Sequence, residues 1–278
     1  MLISANRAKT GIKRHKTTEI EGGRAGMLAE ERRLQIIELA RTEGRIDAVD
    51  AANRMVVAVE TIRRDLDILQ RRGLIRRVHG GAIPTERFAR EYSVAERRAI
   101  NLDLKEKIAA FATSYIPSHG TIFVDAGTTT ECMAPYLRDR KTLTIVTNSL
   151  ILAVGIGDSD TNVILVSGRL RPITLSAVGS LTIAALENIQ ADVAFIGTNG
   201  IHAKFGFTTA DPDEAAVKSK MIANSRESIV LADNAKFGKS FTVRFADLHT
   251  VDRVVTDVDA PTSIIGEVES SGLEVVIV

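Results

Sequence analysis

At 278 residues the chain is long enough for more than one domain with a substantial core, and its net charge of +1 would argue against nucleic acid if it were evenly spread. It is not: residues 1–90 carry 19 Lys+Arg against 12 Asp+Glu, whereas residues 91–278 carry 17 against 23. The single cysteine, Cys132, excludes an intramolecular disulfide and argues against a cysteine-based metal site, no run approaches the ~18 apolar residues of a membrane span, and residues 1–26 lack a signal-peptide core, so a cytoplasmic protein is expected.

In chain order, residues 1–26 are basic (Arg7, Lys9, Lys13, Arg14, Lys16) and show neither helical nor strand periodicity. They read as a disordered basic arm, or as an overlong start upstream of Met27. Leu34, Ile37 and Ala40 predict a helix over residues 29–42, ended by Glu43-Gly44. Asp47 can cap a second helix bearing Ala48, Ala51, Ala52 and Met55, with Asp50 in its first turn. Val56-Val57-Ala58 is then a tight turn into the segment from Thr61 to Gly73. There Ile62, Leu66 and Leu69 recur at i, i+4 and i+7, while Arg63, Arg64, Asp67 and Arg71 point away from that stripe. A solvated surface helix has the same pattern, but two preceding helices and a tight turn make this a helix-turn-helix, whose second helix reads a DNA groove. Leu74 to Val78 read as a strand, His79-Gly80-Gly81 as a turn and Ala82-Ile83-Pro84 as the return, a wing whose Arg76 and Arg77 can reach the backbone or minor groove. The candidate DNA-binding residues are therefore Thr61, Arg63, Arg64, Asp67, Arg71, Arg76, Arg77 and His79.

Glu31-Arg32-Arg33, Thr61-Ile62-Arg63-Arg64-Asp65-Leu66 and His79-Gly80-Gly81-Ala82, in this order and spacing, resemble the winged helix-turn-helix of the DeoR family of bacterial transcription regulators, over residues 27–84. Two positions depart from the family pattern: Ala58 stands where a serine usually caps the recognition helix, and Ala51 where a leucine usually packs.

Residues 85–104 are polar and charged, with Arg87, Arg90, Glu91, Glu96, Arg97 and Arg98, and read as a linker that becomes a helix. A further helix follows over residues 105–115. Seven short apolar runs come next, centred on Phe123, Ile145, Ile164, Phe195, Val230, Val254 and Val276, with helical segments between most of them. Apolar strands alternating with helices predict an α/β domain over residues 105–278 with a mainly parallel sheet buried on both faces. Small polar residues follow five strands in succession, at the carboxyl ends where open α/β sheets bind ligands. Ordinary turns use the same residues; five in a row indicate a pocket. Gly127 with Thr128, Thr129 and Thr130 suits an anion such as phosphate, no Walker lysine follows, and Lys236 can supply positive charge. Asp211 can contact sugar hydroxyls, with Glu214 and Lys218 at i and i+4 on the next helix. The five histidines show no metal-ligand spacing, and neither metal nor cofactor is expected.

From residue 105 onward the chain resembles the sensor domain of the same family, similar in fold to ribose-5-phosphate isomerase, through residues 125–130, 147–149, 197–200, 211–218 and 233–238. Ser167-Gly168 departs from the family's usual glycine pair. The resemblance implies a sequence-specific regulator, a repressor of sugar or polyol catabolism genes, that is not an enzyme, binds operator DNA as a homo-oligomer and is modulated by a phosphorylated sugar. The expected effector-binding residues are Asp125, Gly127, Thr128, Thr129, Thr130, Asn148, Ser149, Gly168, Asp211, Glu214, Lys218 and Lys236. Two other readings of the second domain are a sugar-phosphate isomerase and a bare oligomerisation unit.

Overall fold

The computed structural model describes residues 29–43, 45–72, 74–84 and 92–278. The expected basic arm and the first part of the expected linker, 85–91, lie outside them.

The first unit is built from α1 (Ala29–Glu43), β1 (Ile46–Asp47), α2 (Ala48–Arg54), α3 (Val59–Arg71), β2 (Ile75–Val78) and β3 (Gly81–Pro84). Ile36, Ile37, Ala40, Ala51, Ala52, Ile62, Leu66, Leu69 and Ile75 form one small buried core. Asp47 caps α2 as expected, accepting from the amides of Val49 at 2.8 Å and Asp50 at 3.2 Å. Ala58 is the N-cap of α3 and offers no side-chain cap. The turn between α2 and α3 places Val56 at φ 53°, a left-handed conformation that a β-branched residue tolerates poorly. Sequence reasoning did not foresee β1, which is two residues long. It pairs antiparallel with β3, so the wing is a three-stranded sheet of order β1-β3-β2. Gly81 permits this pairing, because a Cβ there would lie 1.9 Å from the Ile46 carbonyl oxygen.

Helices α4 (Val94–Ala99) and α5 (Leu102–Ala112) follow. The stretch expected to act as linker up to residue 104 thus already contains one complete helix and the start of the next. A capping box fixes where α4 begins: the Glu96 amide donates to Ser93 Oγ at 3.3 Å, and the Ser93 amide to Glu96 Oε2 at 2.8 Å.

The rest of the chain runs β4 (Gly120–Val124), α6 (Ala134–Leu137), β5 (Leu143–Thr147), α7 (Leu150–Ile156), β6 (Asn162–Leu165), β7 (Arg169–Arg171), β8 (Ser176–Val178), α8 (Ser180–Glu187), β9 (Ala191–Gly197), β10 (Gly200–His202), β11 (Gly206–Thr209), α9 (Pro212–Ala223), β12 (Ser225–Leu231), β13 (Val243–Ala246), β14 (Arg253–Thr256), α10 (Thr262–Glu269) and β15 (Glu274–Ile277). All seven apolar runs become strands of one seven-stranded sheet of order β15-β14-β12-β9-β4-β5-β6, parallel at every pairing. Its central strands β4 and β9 are largely apolar because both faces are covered there, whereas β6 at the edge is mostly exposed. Ile122, Val124, Ile145, Val193 and Phe195 pack with α5 and α7 on one face. Phe123, Val146, Ala194, Ile196 and Val230 pack with α8, α9 and α10 on the other. The hairpin β7-β8 and the small sheet β10-β11-β13 were not anticipated.

This strand order has one reversal. From β4 the chain builds outward through β5 and β6, then returns to place β9 on the other side of β4 and continues to β15. The loops after β4 and β9 therefore diverge around a crevice at the carboxyl edge of the sheet, the place where ligands bind in open α/β folds.

Candidate functional site

The first surface is the outer face of α3 with the wing. Arg63, Arg64, Asp67 and Arg71 are all exposed, opposite buried Ile62, Leu66 and Leu69. Thr61 is half-buried in the first turn, its amide donating to the Ala58 carbonyl at 2.9 Å. Arg76 and His79 are exposed on the wing. Arg77, expected to reach the backbone or minor groove, is half-buried between the wing and α3. Its Nη1 donates to Asp67 Oδ1 at 2.9 Å and to the Arg63 carbonyl at 3.2 Å, which makes it a strut between wing and recognition helix.

Behind this surface lies a charge cluster that the apolar periodicity does not signal. Asp65, 2% exposed, is on the inner side of α3 and accepts from Arg32 Nε at 2.6 Å and Arg33 Nε at 2.7 Å, both on α1. Glu30 in turn accepts from Arg33 at 2.7 Å and from Arg72 Nη2 at 3.0 Å. The angle at which α3 leaves the core is thus set by ions as well as by apolar packing.

The second site is a narrow, partly open cleft at the strand-order reversal. Its walls come from the loop after β4 (Ala126, Gly127, Thr128, Thr129), the loop after β9 (Gly197, Thr198, Asn199), α9 (Glu214, Lys218), Lys236, Thr174 and Arg97. Lys218 Nζ donates to Asp125 Oδ2 beneath the floor, and the Gly197 amide donates to the same oxygen at 3.1 Å. Burial pushes the Asp125 carboxyl above its ordinary value, with the Lys218 ammonium opposing it. Glu214 is oriented by Thr209 Oγ1 at 3.2 Å and Arg171 Nη1 at 3.3 Å. Lys105, buried below α4, is drawn down to about 8 by burial, with Asp233 opposing.

Of the twelve expected effector-binding residues, Gly127, Thr128, Thr129, Glu214, Lys218 and Lys236 line this cleft. The other six do not. Asp125 is the buried partner of Lys218. Thr130 is fully buried and donates to the Asp125 carbonyl at 2.6 Å and the Gly127 carbonyl at 2.8 Å, so its hydroxyl closes the loop instead of opening to a ligand. Asn148 Oδ1 accepts from the Ala126 amide at 2.9 Å. Ser149 caps α7 and donates to Glu131 at 3.2 Å. Gly168 packs under α8, where a Cβ would lie 2.0 Å from Thr182 Oγ1. Asp211 caps α9; burial works against its ionised form, yet the Glu214 and Asp213 amides and Arg171 outweigh this and hold its carboxyl below the ordinary value. These residues shape the walls without forming their surface. Arg97, Thr174, Thr198 and Asn199 were missed as candidates. Thr198 and Asn199 belong to a strand-end loop that the sequence does mark, whereas Arg97 sits among linker charges and Thr174 in an unforeseen hairpin.

A winged helix-turn-helix joined to a parallel α/β sheet with a polar cleft at its reversal is the arrangement of a DNA-binding regulator with an attached sensor. Residues 32–88 match the DeoR-like helix-turn-helix domain, and residues 100–258 match the DeoR C terminal sensor domain. The chain is 35% identical over 250 residues to the HTH-type transcriptional regulator GlpR of Haloferax volcanii, spanning 90% of this chain and 98% of that protein. It is 33% identical over 231 residues to the glycerol-3-phosphate regulon repressor of Escherichia coli, spanning 82% of this chain and 91% of that protein. Among solved structures, ribose 5-phosphate isomerase A of Methanocaldococcus jannaschii is 17% identical, with a TM-score of 0.38 over 49% of this chain and 55% of that one. The chain belongs to the DeoR family of transcriptional regulators. Its relatives are regulators and repressors, and it is a DNA-binding transcriptional regulator, not an enzyme. No helix among the described residues is long and apolar enough to cross a membrane.

Proposed function

We propose that this chain is a cytoplasmic repressor of sugar or polyol catabolism genes, whose hold on operator DNA is altered by a phosphorylated sugar or sugar derivative bound in the cleft between β4 and β9. The observation that carries the effector reading is the composition of that cleft: Lys218, Lys236, Arg97, Thr128 and Thr129 line one small space, with Glu214 the one carboxylate residue among the lining. Cations suit a phosphate, hydroxyls and Asn199 suit a polyol, and an apolar ligand would find little to contact. The relative named for the glycerol-3-phosphate regulon supports the same ligand class.

The test is thermal unfolding of the full chain in the presence of glycerol 3-phosphate, fructose 1-phosphate, fructose 6-phosphate and glucose 6-phosphate, each beside its unphosphorylated parent. A bound ester at about a hundred times its Kd adds about 2.7 kcal/mol of stability, so at least one ester raises Tm while its parent does not. Equal shifts from ester and parent refute recognition of the phosphate, and no shift from any ester removes this reading.

The reading includes a homo-oligomer, since paired headpieces multiply weak half-site binding. Supporting it, β6 ends the sheet with Ile164 and Leu165 exposed, beside exposed Val154 on α7. Light scattering is expected to give at least twice the 30.1 kDa chain mass. Leu165→Arg is expected to lower it, and a monomeric wild type refutes the oligomer.

A further inference from the structure

Arg97 does not belong to the sheet, to its strand-end loops or to α9. It is on α4, the helix that leads from the DNA-binding unit into the sensor. Tyr92, five residues earlier, packs against the core of the DNA-binding unit. The Val94 amide donates to the Ile173 carbonyl at 3.0 Å, beside the cleft residue Thr174. Arg98 Nη2 lies 3.2 Å from Glu131 Oε2 on the turn after Thr129. Lys105 Nζ donates to the carbonyls of Arg97 and Ile100, tying down the end of α4 from below. A single short helix is therefore fastened to the cleft wall while Tyr92, two residues before its start, touches the headpiece.

Within that framework Arg97 lines the cleft, yet its Nε and Nη2 are buried and have no hydrogen-bond partner among the described residues. Leaving charged donors buried and unpaired costs more than leaving a neutral group so. Nε and Nη2 share one edge of the guanidinium plane, so their two N–H bonds run side by side. That is the fork which receives two oxygens of one phosphate or carboxylate. Lys218, Lys236, Thr128 and Thr129 line the same space.

We propose that Arg97 binds the oxyanion of the effector through its Nε–Nη2 edge, and that this contact transmits cleft occupancy to the DNA-binding unit. This rests on the effector-pocket reading above and adds its regulation. An anion accepted by the fork pulls on α4 directly. Its shift is carried over five residues to Tyr92 and so to the orientation of α1 and α3. Ligands held only by Lys218 and Lys236 have no such handle on the headpiece.

The experiment uses the full chain, with Arg97→Met and Arg97→Lys. Calorimetric titration follows whichever of glycerol 3-phosphate, fructose 1-phosphate, fructose 6-phosphate and glucose 6-phosphate shifts the wild-type Tm most. Operator affinity is measured without that ester and at saturating ester, and melting curves check the fold. Arg97→Met is expected to weaken ester binding about tenfold to a hundredfold, the cost of losing a charge-assisted bidentate contact. Arg97→Lys retains the charge without the fork and is expected to recover only part of that loss. In both variants the change in operator affinity at saturating ester shrinks at least about threefold, an effect that loss of packing at Arg97 would not produce. Wild-type-like ester affinity and DNA response in either folded variant overturn the inference and leave the pocket reading standing. Failure of the wild type to bind any ester overturns both.

Discussion

Replacing both Arg63 and Arg64 with alanine is expected to weaken binding to a duplex selected by the wild-type protein on the order of a hundredfold or more, with Tm unchanged. Both side chains stand on the exposed face of α3, and the Arg63 guanidinium pairs with Glu60 at 3.3 Å on the surface. Such an exposed pair contributes about 0–1 kcal/mol to the fold, so its loss leaves the headpiece intact. A groove arginine contributes about 1–3 kcal/mol to a complex; two of them account for the expected loss. Salt dependence separates the kinds of contact. Each lost phosphate contact lowers the slope of log K against log salt by about 0.9, and affinity falls equally on all sequences. Lost base contacts leave the slope in place and relax specificity at particular positions. Fluorescence anisotropy at several salt concentrations makes the measurement, and unchanged affinity in the double variant removes α3 as the reading helix.

Asp65→Ala is expected to destabilise the DNA-binding unit by about 3–5 kcal/mol, because it removes the buried carboxylate to which both Arg32 and Arg33 donate, with Arg33 keeping Glu30 as its other carboxylate partner. The geometry makes this a severe lesion: the Asp65 side chain is 3% exposed, and those of Arg32 and Arg33 are 11% and 16% exposed. Small domains hold only about 5–15 kcal/mol in all. The variant is therefore expected to show an early unfolding transition and to lose DNA binding while the sensor sheet melts as before. Urea denaturation followed by circular dichroism resolves the two transitions. A single transition at the wild-type midpoint contradicts a structural role for the cluster. Asp65→Asn, which keeps the shape and removes the charge, is expected to fall between.

Sequence reasoning recovered elements that carry a strong period or a continuous apolar run. All seven strands of the main sheet were legible because a sheet covered on both faces needs apolar residues on both, as Ile122-Phe123-Val124 illustrates. Strand β1 and hairpin β7-β8 were not, since pieces of two or three residues carry no period. For the cleft, sequence located the strand-end loops but not the direction of each side chain. Thr128 and Thr130 look equivalent on paper, yet one lines the cleft while the other bonds two carbonyls of its own loop. Arg97 was hidden for another reason. A charge run in a polar connector looks like solvent-facing surface, and only the path of α4 over the cleft turns one of those charges inward.

Outside α4 and Tyr92, the two units also meet where Lys239 Nζ lies 2.6 Å from Glu38 on α1, three residues beyond the cleft residue Lys236. Their side chains are 36% and 43% exposed, so this clasp is worth under about 1 kcal/mol and weakens as salt rises. Ionic strength is accordingly a mechanical variable for this molecule. As it rises, the headpiece is loosened on the Lys239 side while Tyr92 and α4 still tie it to the sensor.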